Sequence, residues 1–408
     1  MSQDVDIPEG FDTTDPDLMQ RGVPVRELER LRAHEPVWWN AQAAGYGFDD
    51  GGFWLVTRHA DVREVSLKPE IFSSWANGVI VRFMAGIRRE DIEMQRVMMI
   101  NQDAPDHTKL RRIVSRGFTP RAIRMIEDAL AERAARIAAG AAATGGGDFV
   151  DQVACELPLQ AIAELLGIAP EDRRRIFDWS NQMIAYDDPD FEIDPAVASA
   201  ELIDYAMALG RTRMDDPRDD IVTRLVTADL EDRGLTADEF AFFVLLLAVA
   251  GNETTRNAIT HGMMGFFEFP EQWEKFRAER PSTTADEIVR WATPVTVFQR
   301  TALSDTDLGG VHIRAGQRVG MSYSAANFDP EVFEGPYRFD IGRDPNPHLG
   351  FGGGGPHYCL GANLARMEIN LMFRAIADHM PAIRPAGPAR RLRSGWLNGI
   401  KELPVRYA

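Results

Sequence analysis

The stretch between Thr236 and Pro270 limits the possible architectures more than any other part of this 408-residue chain. Thr236-Ala-Asp-Glu239 has the form of a capping box, an almost unbroken apolar pattern follows, and Pro270 stops it. At 1.5 Å per residue such a helix is roughly 50 Å long, enough to cross a whole domain. Its middle, residues 242–250, is apolar on every side, which predicts a path through the interior and not over the surface. Whatever sits in the middle of this helix therefore sits near the centre of the molecule.

The rest of the chain reads as a helical body with a smaller sheet region. Helical periodicity dominates residues 106–291, whereas strand-like pieces at 53–57, 311–319 and 396–407 lie towards the two ends. Gly309-Gly310 and Asn398-Gly399 fit hairpin turns, and the Gly-rich stretch 141–147 fits an interhelical loop. With no internal repeat, the expectation is a single domain over 1–408, mainly α with a minor β region. Its helix-rich part covers roughly 70–292 and 360–380, and its sheet-rich part roughly 30–68, 293–345 and 385–408. The formal charge of −17 disfavours nucleic acid and anionic membranes as partners. The longest apolar run, residues 240–250, is about half of the ~20 that a span needs, and the acidic N-terminus lacks a basic and apolar leader. These features predict a cytoplasmic protein with no membrane span.

Only two cysteines occur, so a cysteine that matters acts alone. Cys155 lies among Val153, Leu157, Ile162 and Leu165 at helical spacing and reads as core. Cys359 closes the loop His348-Leu-Gly-Phe-Gly-Gly-Gly-Gly-Pro-His-Tyr-Cys359-Leu-Gly361, just ahead of a predicted helix over 362–380. A helix N-terminus favours thiolate over thiol, and a thiolate is what a haem iron needs to break an O–O bond. Gly355 and Gly361 would let the backbone approach a flat macrocycle. A buried structural cysteine beside a flexible loop is the alternative. Gly350, Gly352 and Gly355 also satisfy G-x-G-x-x-G, but that motif needs a strand before it and Arg343-Asp-Pro-Asn-Pro347 is a poor one.

Inside the long apolar helix the sequence turns polar at Ala250-Gly251-Asn252-Glu253-Thr254-Thr255. A buried, unpaired carboxylate and a mid-helix glycine both cost stability, so stability alone does not select this segment. An ordinary kink, with Thr254 bonded back one turn and Glu253 in a salt bridge, is one explanation. The other is chemistry: Thr254 hydrogen-bonds dioxygen and an ordered water, Glu253 relays protons, and Gly251 leaves room for the oxygen.

Gly355-x-His357-x-Cys359-x-Gly361 followed by Ala365-Arg366 resembles the haem-binding signature of cytochromes P-450, and Ala250 to Thr255 resembles that family's oxygen-activating helix. The family places its Phe seven residues before the cysteine; here Phe351 stands eight before it. The resemblance implies a triangular helical body around a long central helix, haem b (iron protoporphyrin IX) ligated by Cys359, and His107, Arg111, Arg300 and His357 on the haem propionates. It also implies a structural ion pair between Glu287 and Arg290, and dioxygen rather than peroxide as oxidant, because peroxide-using members generally lack the acid-alcohol pair. A ferredoxin with its NAD(P)H reductase would supply electrons. The basic stretch Lys109, Arg111, Arg112, Arg116, Arg121 and Arg124 would dock it on the thiolate side, although a solvated helix face explains the same residues.

Irregularly spaced apolar residues between Trp75 and Ile100, many of them methionines, suit a lid over a large apolar pocket as well as they suit core packing. Segments including Gly78-Val-Ile-Val-Arg-Phe83 and Arg393-Ser-Gly-Trp-Leu-Asn-Gly-Ile-Lys401 are similar to actinobacterial steroid side-chain monooxygenases, which oxidise the terminal methyl (C26/C27) of cholesterol or cholest-4-en-3-one. By that resemblance Phe83, Gln95, Val249, Val295, Phe298 and Trp396 line a sterol channel. Fatty acids, terpenoids or macrolides are alternative substrates, and a non-catalytic haem-thiolate binding protein is the alternative of another class.

Overall fold

The computed structural model describes residues 6–407 except 192–193, 219 and 228–234. Its axis is the helix Ala237–Glu268, within the predicted limits. Thr236 Oγ1 accepts from Glu239 N at 3.1 Å and Glu239 Oε2 accepts from Thr236 N at 2.8 Å, so the capping box is complete. Pro270 cannot continue the ladder and instead opens the next helix, Pro270–Glu279. Helices Glu156–Leu165, Arg173–Ile184, Pro195–Asp215, Thr284–Ala292 and Ala362–His379 all pack on the central one. One large apolar core results, and Phe266 lies in it with its ring 5.1 to 5.7 Å from those of Trp273, Phe276, Phe339 and Phe373. Truncating that ring to alanine costs about 3–5 kcal/mol by analogy with other core aromatics.

The principal sheet has five strands in the order Val37–Ala41, Gly52–Val56, Arg318–Ser322, Val297–Ala302, Phe72–Ser73. Its pairs are antiparallel except for the second and third strands, where Trp54 faces Val319 in parallel register. Gly309 and Gly310, both at positive φ, turn the predicted hairpin between Thr306–Leu308 and Val311–Ile313.

Three local expectations need correction. The stretch 141–147 is not a loop: the helix Pro120–Thr144 runs into it and Gly146–Asp148 pairs with Pro404–Arg406. The piece 311–319 is broken, because residues 314–317 turn between two strands of different sheets. Asn398-Gly399 does not close a two-residue hairpin; Arg390–Arg391 pairs with Ile400–Glu402 across a longer connection. Asn398 is committed elsewhere, since its Nδ2 donates to Ala292 O at 2.7 Å and its N–H to Pro294 O at 2.9 Å.

Candidate active site

Cys359 precedes the helix Ala362–His379, as predicted, and its N–H donates to Phe351 O at 2.9 Å, which closes the glycine loop on itself. Gly352, Gly354 and Gly355 take positive φ, so the longer spacing from Phe351 is absorbed in the backbone. Phe351 is buried under the Arg366 guanidinium, 4.6 Å from the ring centre. Arg366 Nε and His348 Nε2 both reach Asp286 Oδ1, at 2.7 and 2.9 Å, which fastens the loop to helix Thr284–Ala292. A Cβ on Gly355 would run into the Ser66 carbonyl of the helix His59–Leu67, and the positive φ at this position also calls for glycine. Beside Gly361 the space is open.

Cys359 presents accessible surface although protein atoms surround its thiol densely. Burial pushes its thiol up, while the Gly361 N–H, Arg111 and Arg366 pull down without cancelling that effect. Burial therefore works against the thiolate that a helix N-terminus favours, whereas a bound metal cation would favour it outright. Cys155 is excluded from such a role: it is buried, its Sγ donates to Asp151 O at 3.0 Å, and burial pushes it up to about 12.

Four basic groups converge close to the cysteine loop. His107 and His357 lie ring against ring at 4.1 Å, and Arg111 and Arg300 act electrostatically on both. Burial first, then these neighbouring cations, depress His107 to about 4 and His357 to about 2. Arg300 is buried, with Nη1 donating to Gln299 O at 2.7 Å, and Arg111 reaches Tyr358 O. Asp103 acts on His107 and Arg300, but its carboxylate is already engaged by Ser73 and by Ser74 N. Four donors, His107 and Arg300 buried and Arg111 and His357 half-buried, with so little negative charge suit a ligand carrying carboxylates.

On the central helix Glu253 is buried, accepts from Asn257 Nδ2 at 2.8 Å and from Arg256, and keeps Oε2 without a partner among the described residues. Thr254 Oγ1 donates to Ala250 O at 2.6 Å. These bonds match those of an ordinary kink; the orphaned carboxylate oxygen does not. Gly251 does not face an oxygen site, because a Cβ there would meet Ile162 Cδ1 at 2.5 Å on the helix Glu156–Leu165. The small residue that opens onto free space is Ala250, exposed in mid-helix one turn before the half-exposed Thr254. Its signal in the sequence was only that it begins the polar break.

Val249, Val295, Phe298 and Trp396 meet in one apolar cluster with Ile80, Ile184, Tyr186 and Leu397. Phe298 stacks on Trp396 at 6.1 Å, and Trp396 Nε1 donates to Tyr186 Oη at 2.8 Å. Phe83 lies apart, in a small cluster with Phe48 and Ile92, and Gln95 is half-buried with its backbone carbonyl accepting from Asn101 Nδ2 at 2.9 Å. Sequence reasoning missed Tyr186, a lone loop tyrosine with no periodic signal, as well as Asp286 and His348.

Among the described residues no group of three His, Cys, Asp or Glu could hold a bare metal ion. What this site can hold is a group ligated by one sulfur, carrying carboxylates and lying against an open helix face, which is the donor set of a haem-thiolate protein. The chain belongs to the cytochrome P450 family: residues 160–379 match the model described as Cytochrome P450. It is 61% identical over 402 residues to a Steroid C26-monooxygenase of Rhodococcus jostii (strain RHA1), covering 98% of this chain and 85% of that one. The Mycobacterium tuberculosis (strain ATCC 25618 / H37Rv) protein of the same description is 59% identical over 404 residues, with 98% and 93% covered. A Mycobacterium marinum cytochrome P450 solved with pseudoionone superposes with TM-score 0.88 at 38% identity, over 93% of this chain and 94% of that one. The protein is thus an oxygen-incorporating oxidoreductase, and among its described residues no helix is long and apolar enough to cross a membrane.

Proposed function

We propose that this chain hydroxylates the terminal methyl, C26/C27, of a sterol side chain such as that of cholesterol or cholest-4-en-3-one. The observation that carries this reading is the 61% identity, along 98% of the chain, to a relative described as a Steroid C26-monooxygenase. The balance is substrate C–H, dioxygen, two electrons and two protons going to the alcohol and water. Cys359 would hold haem b, and His107, Arg111, Arg300 and His357 would take its carboxylates. When bound, the haem supplies dioxygen activation with the sulfur donating electron density. Glu253 and Thr254 hold and pass the two protons, and the packing around Val249, Val295, Phe298 and Trp396 keeps other water out. A channel of that kind presents the chain end rather than the rings, so terminal attack follows from orientation.

Electrons would come from a ferredoxin served by an NAD(P)H reductase. Arg112, Arg121 and Arg124 are exposed and Arg111 reaches the backbone beside Cys359, which supports docking on that face; the side chain of Arg116 lies outside the described residues. Charge reversal at Arg112 should slow reduction and flatten its salt dependence. An unchanged rate would remove the docking idea. For the function itself, titrating sterols, fatty acids and terpenoids against the haem optical spectrum and identifying products should single out sterols hydroxylated at the chain end. No spectral response to any sterol would defeat the assignment.

A further inference from the structure

A pocket of about 590 Å³ opens between Met84, Tyr186, Asp187, Phe191, Pro195 and Arg393. Its size suits a small molecule, and its composition is divided: carbon surface from Met84, Phe191 and Pro195, and a polar end at Arg393. The Arg393 guanidinium is oriented by two contacts, Nε to Asp17 Oδ1 at 2.6 Å and Nη1 to the Asp187 carbonyl. Its Nη2 has no protein partner among the described residues, and the side chain is 28% exposed. A cation held at two of its nitrogens, with the third uncommitted among the described residues, thus lines the pocket. The neighbouring carboxylates of Asp17, Asp187 and Asp188 make the surroundings poor for an anion, so the fitting partner is a neutral oxygen acceptor.

The pocket is joined to the apolar cluster by contact. Tyr186, which lines it, donates from Oη to Arg82 O at 2.8 Å and accepts from Trp396 Nε1 at 2.8 Å. Trp396 stacks on Phe298, Val249 lies in the same cluster, and the next residue along the helix is the exposed Ala250. A sterol laid along this row of contacts, with its chain end towards Ala250, would carry its ring end towards Arg393. We infer that Arg393 is a specificity-determining residue, donating from Nη2 to the oxygen on the ring end of the sterol; this rests on the function proposed above.

The test uses the haem-loaded enzyme, with cholest-4-en-3-one and 5α-cholestane, which carries the same side chain without the ring oxygen, each titrated against the haem optical spectrum. The unsubstituted protein should bind the ketone about tenfold or more tightly than the hydrocarbon, the range for a hydrogen bond to a charged donor. Arg393→Met should bring that ratio close to one while leaving affinity for the hydrocarbon unchanged, and Arg393→Lys should restore part of it. Asp17→Asn, which breaks the ion pair but keeps the guanidinium, should retain the ratio. An Arg393→Met ratio equal to that of the unsubstituted protein overturns the inference, and so does an Asp17→Asn variant that loses the preference as completely. If neither compound changes the spectrum, the sterol reading itself fails and takes this inference with it.

Discussion

Two buried glutamate–arginine pairs at the same i, i+3 spacing, Glu253 with Arg256 and Glu287 with Arg290, end in opposite states. In the second pair Arg290 spends its N–H donors completely: Nε and Nη2 on Glu287 at 2.8 Å each, Nη1 on Asn327 O and Pro336 O, and Nη2 again on Arg338 O. Glu287 also accepts from Asp340 N, Arg343 Nε and Asn346 Nδ2. In the first pair Glu253 Oε2, Arg256 Nε and the adjacent Asn252 Oδ1 are buried with no partner among the described residues. A buried polar atom left unsatisfied costs about 1–3 kcal/mol, so a saturated pair braces a fold and a half-satisfied one on a central helix needs another reason to exist. Passing protons, the role proposed for Glu253, would be such a reason.

The largest effect should come from breaking the saturated pair. Glu287→Ala strands Arg290 and Arg343 in the interior and should cost about 3–5 kcal/mol, read as a lower denaturant midpoint together with loss of haem content. A midpoint within error of the unsubstituted protein would mean that the brace holds nothing.

Glu253→Gln tests the other pair and should do the reverse: little change in the midpoint, but product formation slower by about 10²-fold with a larger solvent deuterium isotope effect. If stability falls and the isotope effect does not move, Glu253 is structural and the contrast between the pairs disappears.

A smaller effect is expected at Gly251. An alanine Cβ there meets Ile162, so Gly251→Ala should destabilise by about 1–3 kcal/mol, and Ile162→Val, which removes the nearer carbon, should recover part of it. A neutral Gly251→Ala would return Gly251 to the oxygen side of the helix.

The smallest effect at neutral pH belongs to His261, buried two turns beyond Glu253 with Nε2 against Asn398 O at 2.9 Å. Burial first, then Arg391, depress it to about 3 against an ordinary 6.5. Between those values the unfolded chain takes up a proton that the folded chain refuses. The stabilisation is therefore complete above pH 6.5 and is lost as pH falls towards 3. His261→Gln should leave the midpoint at pH 7 nearly unchanged and make the acid-side decline shallower; an identical decline would show that other groups control it.

What the sequence determined by itself was whatever depends on neighbours along the chain. The capping box and Pro270 fixed the central helix, the cysteine's place before a helix followed from local pattern, and Gly309-Gly310 turned its hairpin because the backbone there requires positive φ. The tertiary structure decided whatever depends on contacts between distant segments. Gly251 is small for Ile162 and Gly355 for the Ser66 carbonyl, and both partners come from other helices. Asn398-Gly399, a plausible turn by composition, was drawn to Ala292 and Pro294. Two Glu-x-x-Arg pairs look alike in the sequence, because spacing reports which side chains can meet but not how many donors and acceptors the rest of the fold brings to them.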